Sequence, residues 1–203
     1  VIVYVLTRTA ARPSMFERAR ASVLEQRRTF PGDVVHVVHA EAGFAPYAIG
    51  DELVIGERLE RRGRLHAPQE LYVARLLRRV LELEPGWVVH LDDDDVFAAP
   101  DALERALLPE LRPDQMPVWT VEREHGRISP ASSTASLSSL EGRICWEGAS
   151  HYSTRARPEA IDDGDGGDGR YWAALALELE VVRRDVVFAR PQVGKGKGRR
   201  SDY

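Results

Sequence analysis

One cysteine, Cys145, stands among 203 residues. A lone thiol excludes a disulfide framework and fits a reducing, cytoplasmic compartment; such cysteines usually serve as small buried residues. No apolar run approaches the ~20 residues that a membrane-crossing helix needs. No charged leader precedes the first strand-like stretch, Val1 to Leu6, and a first residue other than Met suggests a trimmed start. There is no internal repeat. Also missing are the phosphate-cradling G-x-x-x-x-G-K-S/T, a G-x-G-x-x-G at the first turn, and a Ser-His-Asp signature. NTPase, dehydrogenase and hydrolase readings therefore lack support. Excess positive charge is absent too: the net charge of −4 argues against a general nucleic-acid binder.

What is present is globular, with 43% hydrophobic and 30% charged residues. The length suits one domain with a sizeable core. The chain is organised around Trp87-Val88-Val89-His90-Leu91-Asp92-Asp93-Asp94-Asp95, a β-branched run ending in four carboxylates. Adjacent negative charges repel, so a folded chain keeps them only against a compensating charge. A hard divalent cation, Mg²⁺ or Mn²⁺, takes oxygen ligands and commonly bridges carboxylates to phosphates. Ligands of open α/β sheets collect at the carboxyl ends of strands, where these acids stand. The plain alternative is a solvated acidic turn.

In chain order, Val1 to Leu6 reads as a buried strand, followed by a loop to Pro13. Ser14 with Glu17 forms a capping-box pattern for a helix to about Gln26, with Phe16, Ala19 and Val23 on one face. Val34 to His39 is a second buried strand, completing a βαβ unit. Glu52 to Ile55 is a short third strand. Pro68 opens a helix to about Leu83, and Pro85-Gly86 ends it before the Trp87 strand. A helix from Pro100 to Leu108 and a strand from Pro117 to Glu122 follow. Residues 129–141, rich in Ser, Ala and Thr, read as a loop that could act as a lid. Arg143 to Glu147 and His151 to Thr154 look like short strands. Asp162 to Gly169 is an acidic glycine-rich loop, Tyr171 to Leu179 a helix, and Val186 to Phe188 the last strand. The tail carries Lys195, Lys197, Arg199 and Arg200 between glycines. Alternating strands and helices point to α/β with a mixed sheet.

These residues resemble family 2 glycosyltransferases, members of the nucleotide-diphospho-sugar transferase superfamily. Ser22-Val23-Leu24-Glu25-Gln26 is close to that family's "S-V-L-x-Q". Gly86 to Asp95, with Pro100 beyond, is similar to "G-x-(Y/W)-I-x-x-L-D-x-D-D" followed by proline. Asp168-Gly169-Arg170-Tyr171-Trp172-Ala173-Ala174-Leu175 looks like "E-D-x-x-x-W-x-x-L", with Gly167 in place of the first acid. The resemblance implies a GT-A (Rossmann-like) single domain over 1–203, with a mixed, mostly parallel central sheet flanked by helices. The nucleotide-binding half would be about 1–100, the acceptor half about 101–190, and the basic tail 191–203. It implies a metal-dependent inverting transfer from a nucleotide-diphosphate sugar, with a UDP-sugar as first expectation, to an acceptor hydroxyl. Asp92, Asp94 and Asp95 would hold Mn²⁺ or Mg²⁺, and Asp92 and Asp93 would face the sugar-nucleotide. Asp168 would be the general base, and Thr7 would sit beside the base or ribose. Arg8-Thr9 replace the family's usual Tyr-Asn. His39, with Glu41 two residues on, replaces the Asp that reads uracil, so Arg8, His39 and Glu41 are the candidate nucleotide contacts. Lys195, Lys197, Arg199 and Arg200 could close over the diphosphate, since glycines let backbone N–H groups approach anions.

Asp163 and Asp165 rival Asp168 as base. A calcium loop starting at Asp163 fails, because Gly167 stands at its fifth position and no closing Glu follows. Trp146, His151 and Tyr152 could line an acceptor pocket. His39 and His90 could equally be core or rim histidines. The acceptor could be a glycan, a small molecule or modified DNA. Arg58, Arg61, Arg62, Arg64, Arg75, Arg78 and Arg79 could track a DNA backbone. A nucleotidyltransferase of related fold would also use such acids, and a non-catalytic module binding sugar or nucleic acid would use the arginines.

Overall fold

The computed structural model describes residues 1–57, 68–108, 111–122, 128–129, 144–161 and 167–192; at residues 44, 68–70, 128–129, 167 and 168 it describes the backbone alone. Strand β1 (Ile2–Thr9) lies at the centre of a five-stranded sheet. β2 (Asp33–Glu41) pairs with it on one side and β4 (Trp87–His90) on the other, both parallel. β3 (Glu52–Gly56) extends the β2 side in parallel, and β8 (Ser150–Tyr152) closes the β4 side antiparallel. The order β3-β2-β1-β4-β8 makes the sheet mixed and mostly parallel. Parallel strands buried on both faces need near-continuous apolar sequence, and Val3, Val5, Val37, Val38, Val88 and Val89 are fully buried.

Helix α1 (Pro13–Gln26) sets Ala19 and Val23 against Val3, Val5 and Val89. Helix α2 (Pro68–Leu81) sets Leu76, Leu77 and Val80 against Tyr4, Leu6 and Val88 on the opposite face. Burying such a side chain stabilises by roughly 1.5–3 kcal/mol before chain entropy is charged against it. The expected cap at Ser14 is not formed. The helix begins at Pro13, after Arg12, with no side-chain cap. Proline suits that first position, because its missing N–H would have had no helical partner.

A second sheet, β5-β9-β6-β7, packs beyond β4. β5 (Asp95–Phe97) pairs antiparallel with β9 (Glu180–Pro191), which runs parallel to β6 (Gln115–Glu122); β7 (Ile128–Ser129) pairs with β6. Helix α3 (Ala102–Leu107) buries Leu103 and Leu107 in the same core. Trp119 stacks on Phe188 at 4.2 Å and donates from Nε1 to Glu147 O at 2.6 Å. β9 is far longer than Val186 to Phe188, despite Arg183, Arg184 and Asp185, because β6 and β5 supply its hydrogen bonds. The expected strand from Arg143 holds a 3-10 turn at Trp146–Gly148. The next strand ends at Tyr152, where Ser153 N–H donates to Gly86 O and Ser153 Oγ accepts from Gly86 N–H. Those bonds turn the chain off the sheet edge. Helix α4 (Gly167–Ala176) buries Tyr171 and Trp172.

Strand order reverses at β1, with β2 to one side and β4 to the other. The carboxyl ends of β1 and β4 therefore diverge into separate connections, which is where α/β sheets open a crevice.

Candidate metal and nucleotide site

The four acids stand at that reversal. After β4, Leu91 N–H still donates to Leu6 O, and then Asp95 N–H donates to Asp92 O at 3.0 Å. The acids thus form a tight turn from β4 into β5 that projects Asp92, Asp94 and Asp95 together. One carboxylate oxygen from each lies within 4.8 Å of the others. An octahedral Mg²⁺ places its ligands about 3–4 Å apart, so a small side-chain rotation fits this set to a hard cation.

Two arginines of the first loop face these acids. Arg8 forms a two-bonded fork on Asp92, Nε to Oδ1 and a terminal nitrogen to Oδ2, both at 2.9 Å. Arg12 pairs with Asp93 and donates to Asp94 Oδ2 at 2.7 Å. Ala11, at φ 54°, adopts the left-handed backbone immediately before Arg12. Asp93 is fully buried and accepts from Thr9 Oγ1 at 2.8 Å. Burial pushes its carboxyl up to about 7, against the opposing pull of Arg12 and Thr9. Asp93 thus stands apart from the group of three and secures the turn through Thr9 and Arg12.

Gln192 secures the turn from the far side. Its backbone N–H donates to Asp94 O, and its amide nitrogen lies 2.9–3.2 Å from the carbonyls of Met15, Asp93 and Asp95. Arg18 Nε donates to Gln192 Oε1 at 2.6 Å. One side chain thus joins α1, the acidic turn and the end of β9. Neither Gln192 nor Arg12 stood out in the sequence. The signal that could have found Arg12 was charge: a basic loop after the first strand complements an acidic run after the fourth.

Thr7, at the end of β1, is fully buried and hydrogen-bonded to His36 Nε2 at 2.9 Å. Burial lowers His36 to about 3. His39 lies beside Arg8 in the strand register and stacks on Tyr72 with ring centroids 4.5 Å apart. Burial, then the Arg75 charge, lowers His39 to about 4. Tyr72 donates to Glu41 Oε1 at 2.8 Å, and Arg75 lies 5.6 Å from the Tyr72 ring. His39, Glu41, Tyr72 and Arg75 thus form one aromatic and charged group at the carboxyl end of β2. Arg75 contacts His39 and the carbonyl of Glu57, Arg79 pairs with Glu52 and Glu82, and Arg78 is exposed.

Trp146 and His151 are buried in the core instead of lining a pocket. Trp146 packs on His90, Tyr171 and Trp172. His151 Nδ1–H donates to Tyr152 O, so its Nε2 accepts from the Tyr171 hydroxyl at 2.8 Å. Asp168 lies in the first turn of α4, its side chain outside the described residues. Asp163, Asp165, Lys195, Lys197, Arg199 and Arg200 also lie outside them, as do residues 130–141 of the expected lid and Arg58, Arg61, Arg62 and Arg64.

No protein-family model matches the sequence, and no curated protein sequence does. Solved structures do match. S. aureus TarS 1-349 superimposes with a TM-score of 0.61 at 13% identity, over 96% of this chain and 61% of that one. A Pyrobaculum calidifontis mannosyltransferase, in complex with GDP-Man and Mn²⁺, gives 0.55 at 18% identity, over 96% and 57%. This chain has the GT-A glycosyltransferase fold. TarS 1-349 in complex with UDP-GlcNAc also matches, at 0.52 and 11% identity, over 95% of this chain and 58% of that one. The GT-A chain spans less than two thirds of each of these structures. Within the GT-A fold, the acids occupy the strand-end crevice where such sheets take ligands. Among the described residues, no helix is long and apolar enough to cross a membrane.

Proposed function

We propose that this GT-A domain, residues 1–203, is a metal-dependent inverting glycosyltransferase that uses a nucleotide-diphosphate sugar. The observation that carries the reading is the convergence of Asp92, Asp94 and Asp95 at the reversal of strand order. Together they would hold Mn²⁺ or Mg²⁺, which as a Lewis acid neutralises a leaving diphosphate. Arg8, His39 and Glu41, at the ends of β1 and β2, would border the place for the nucleoside, while Thr7 is buried against His36. UDP and GDP sugars are both candidate donors, since structures of similar fold are described with UDP-GlcNAc and with GDP-Man. Asp93, with Thr9 and Arg12, keeps the turn rigid while charge builds on the diphosphate.

Asp168 is the proposed base. Its carboxylate takes the proton of the acceptor hydroxyl as that oxygen bonds to the anomeric carbon and the nucleoside diphosphate leaves from the opposite face. Lys195, Lys197, Arg199 and Arg200 follow soon after Gln192, which is bound to the acidic turn. That anchoring supports a role for the tail in meeting the diphosphate. The acceptor could be a glycan, a small molecule or a modified nucleobase in DNA.

The test is Mn²⁺-dependent hydrolysis of a panel of UDP- and GDP-sugars. The expected result is release of a nucleoside diphosphate by wild type, and loss of about a hundredfold or more in Asp94→Ala. Release of pyrophosphate would instead identify a nucleotidyltransferase. Equal nucleotide binding by wild type and Asp94→Ala, with or without metal, would sink the reading.

A further inference from the structure

We propose that Arg8 is an exchangeable counter-ion: a divalent cation must displace its guanidinium from Asp92, and the displaced group then pairs with the nucleotide's diphosphate. This inference rests on the metal reading of Asp92, Asp94 and Asp95 and concerns what already sits on them. The fork of Arg8 engages both oxygens of Asp92, each at 2.9 Å. Those oxygens are the ones a cation would need. A doubly charged ion on an oxygen that the fork already uses would lie against the guanidinium and be repelled, whereas Arg12 donates to one of the two oxygens of Asp94, so that bond does not close off the carboxylate.

Arg8 and Arg12 differ in whether they can leave. Arg12 bridges two acids, and one of them, Asp93, is fully buried. Its departure would strand a buried charge. Among the described residues, Arg8 forms its ion pair with Asp92, and both side chains of that pair are partly exposed, at 17% and 24%. Water reaches that pair, so the guanidinium of Arg8 can swing away without stranding a fully buried charge. Arg8 is also at the end of β1, beside His39 in the register, between the acids and the proposed nucleoside place. A planar two-bonded fork that suits a carboxylate suits a phosphate equally well. Leaving Asp92 for a diphosphate therefore exchanges one anionic partner for another. Cation and nucleotide each favour the arrangement the other needs, so their binding is coupled through this side chain.

The experiment is isothermal titration of Mn²⁺ into wild type, Arg8→Ala and Arg8→Lys, without and with saturating UDP or GDP. Arg79→Ala, paired with Glu52 of β3 and Glu82 away from the acids, is the control, and thermal melts confirm folding. In the absence of nucleotide, Arg8→Ala is expected to bind Mn²⁺ about tenfold tighter than wild type, since a repelling charge is gone. Arg8→Lys, which keeps the charge but not the fork, falls between them. The factor by which nucleotide tightens Mn²⁺ binding shrinks in Arg8→Ala. Equal or weaker Mn²⁺ binding by Arg8→Ala, or an unchanged coupling factor, overturns the exchange while leaving the metal reading intact. Absence of Mn²⁺ binding in every protein removes the metal reading itself.

Discussion

At the scale of single residues, the site is a charge-compensation problem solved by neighbours distant in sequence. Asp93 is the clearest case. It is buried beside two other acids, and Thr9 and Arg12 make its position tolerable. Replacing Thr9 by Val keeps the shape and removes the donor. A buried carboxylate oxygen left without its partner costs roughly 1–3 kcal/mol, and urea unfolding at neutral pH should show that loss. Ala11 is a second case. At φ 54° it lies where a β-branched side chain is strongly disfavoured. Ala11→Val should lose about 1–2 kcal/mol, while Ala11→Gly should lose nothing, because glycine enters that region freely. Both substitutions are read in the same unfolding assay. The acids themselves were legible because they are contiguous. Their partners were not, because Arg8, Arg12 and Thr9 precede them by more than eighty residues.

At the scale of elements, the acidic turn is held between α1 and β9. Gln192 makes this connection with one amide, donating to carbonyls of the turn and of Met15. Gln192→Ala would leave those carbonyls without that donor, with an expected cost of about 2 kcal/mol. Because the same contacts hold the backbone of Asp93 and Asp95, Mn²⁺ affinity should fall several-fold as well. A stability loss with unchanged Mn²⁺ affinity would mean that the turn keeps its shape without the clamp. The short strand β5 and most of β9 escaped the sequence pattern for a related reason. β9 carries Arg183, Arg184 and Asp185 within a strand. Only pairing on both sides, with β5 and β6, makes an extended chain the best use of those backbone groups.

At the scale of the whole molecule, the core contains histidines kept neutral by burial. His36 is lowered to about 3, and His39 and His151 to about 4. In the unfolded chain each takes a proton near pH 6.5. The folded state binds fewer protons, so stability is complete above pH 6.5 and is lost as pH falls toward 4. Each such histidine contributes a slope of about 1.4 kcal/mol per pH unit inside that window. Asp93, which takes up a proton from about pH 7 downward in the folded state alone, offsets about one histidine's share, and urea midpoints measured from pH 8 to pH 5 should still drop below about 6.5. His90 is lowered by burial as well, so His151→Gln, which has no proton to take, should lessen the histidine part of the slope by about a quarter. A midpoint constant from pH 7 to pH 5 would show that these histidines carry no such penalty.

The α/β alternation, the valine-rich parallel strands and the acidic end of the fourth are legible along the chain, because apolar periodicity and contiguous charge are local properties. The sequence also carried enough motif resemblance to anticipate the GT-A fold. Which acid is buried, which arginine guards which carboxylate, and the closing of the turn by Gln192 emerge only once the chain is folded. Those choices depend on strand order, since only the pairing of β1 with both β2 and β4 brings the first loop against the acids. Pairing between strands far apart in the chain leaves no mark in the spacing of neighbouring residues.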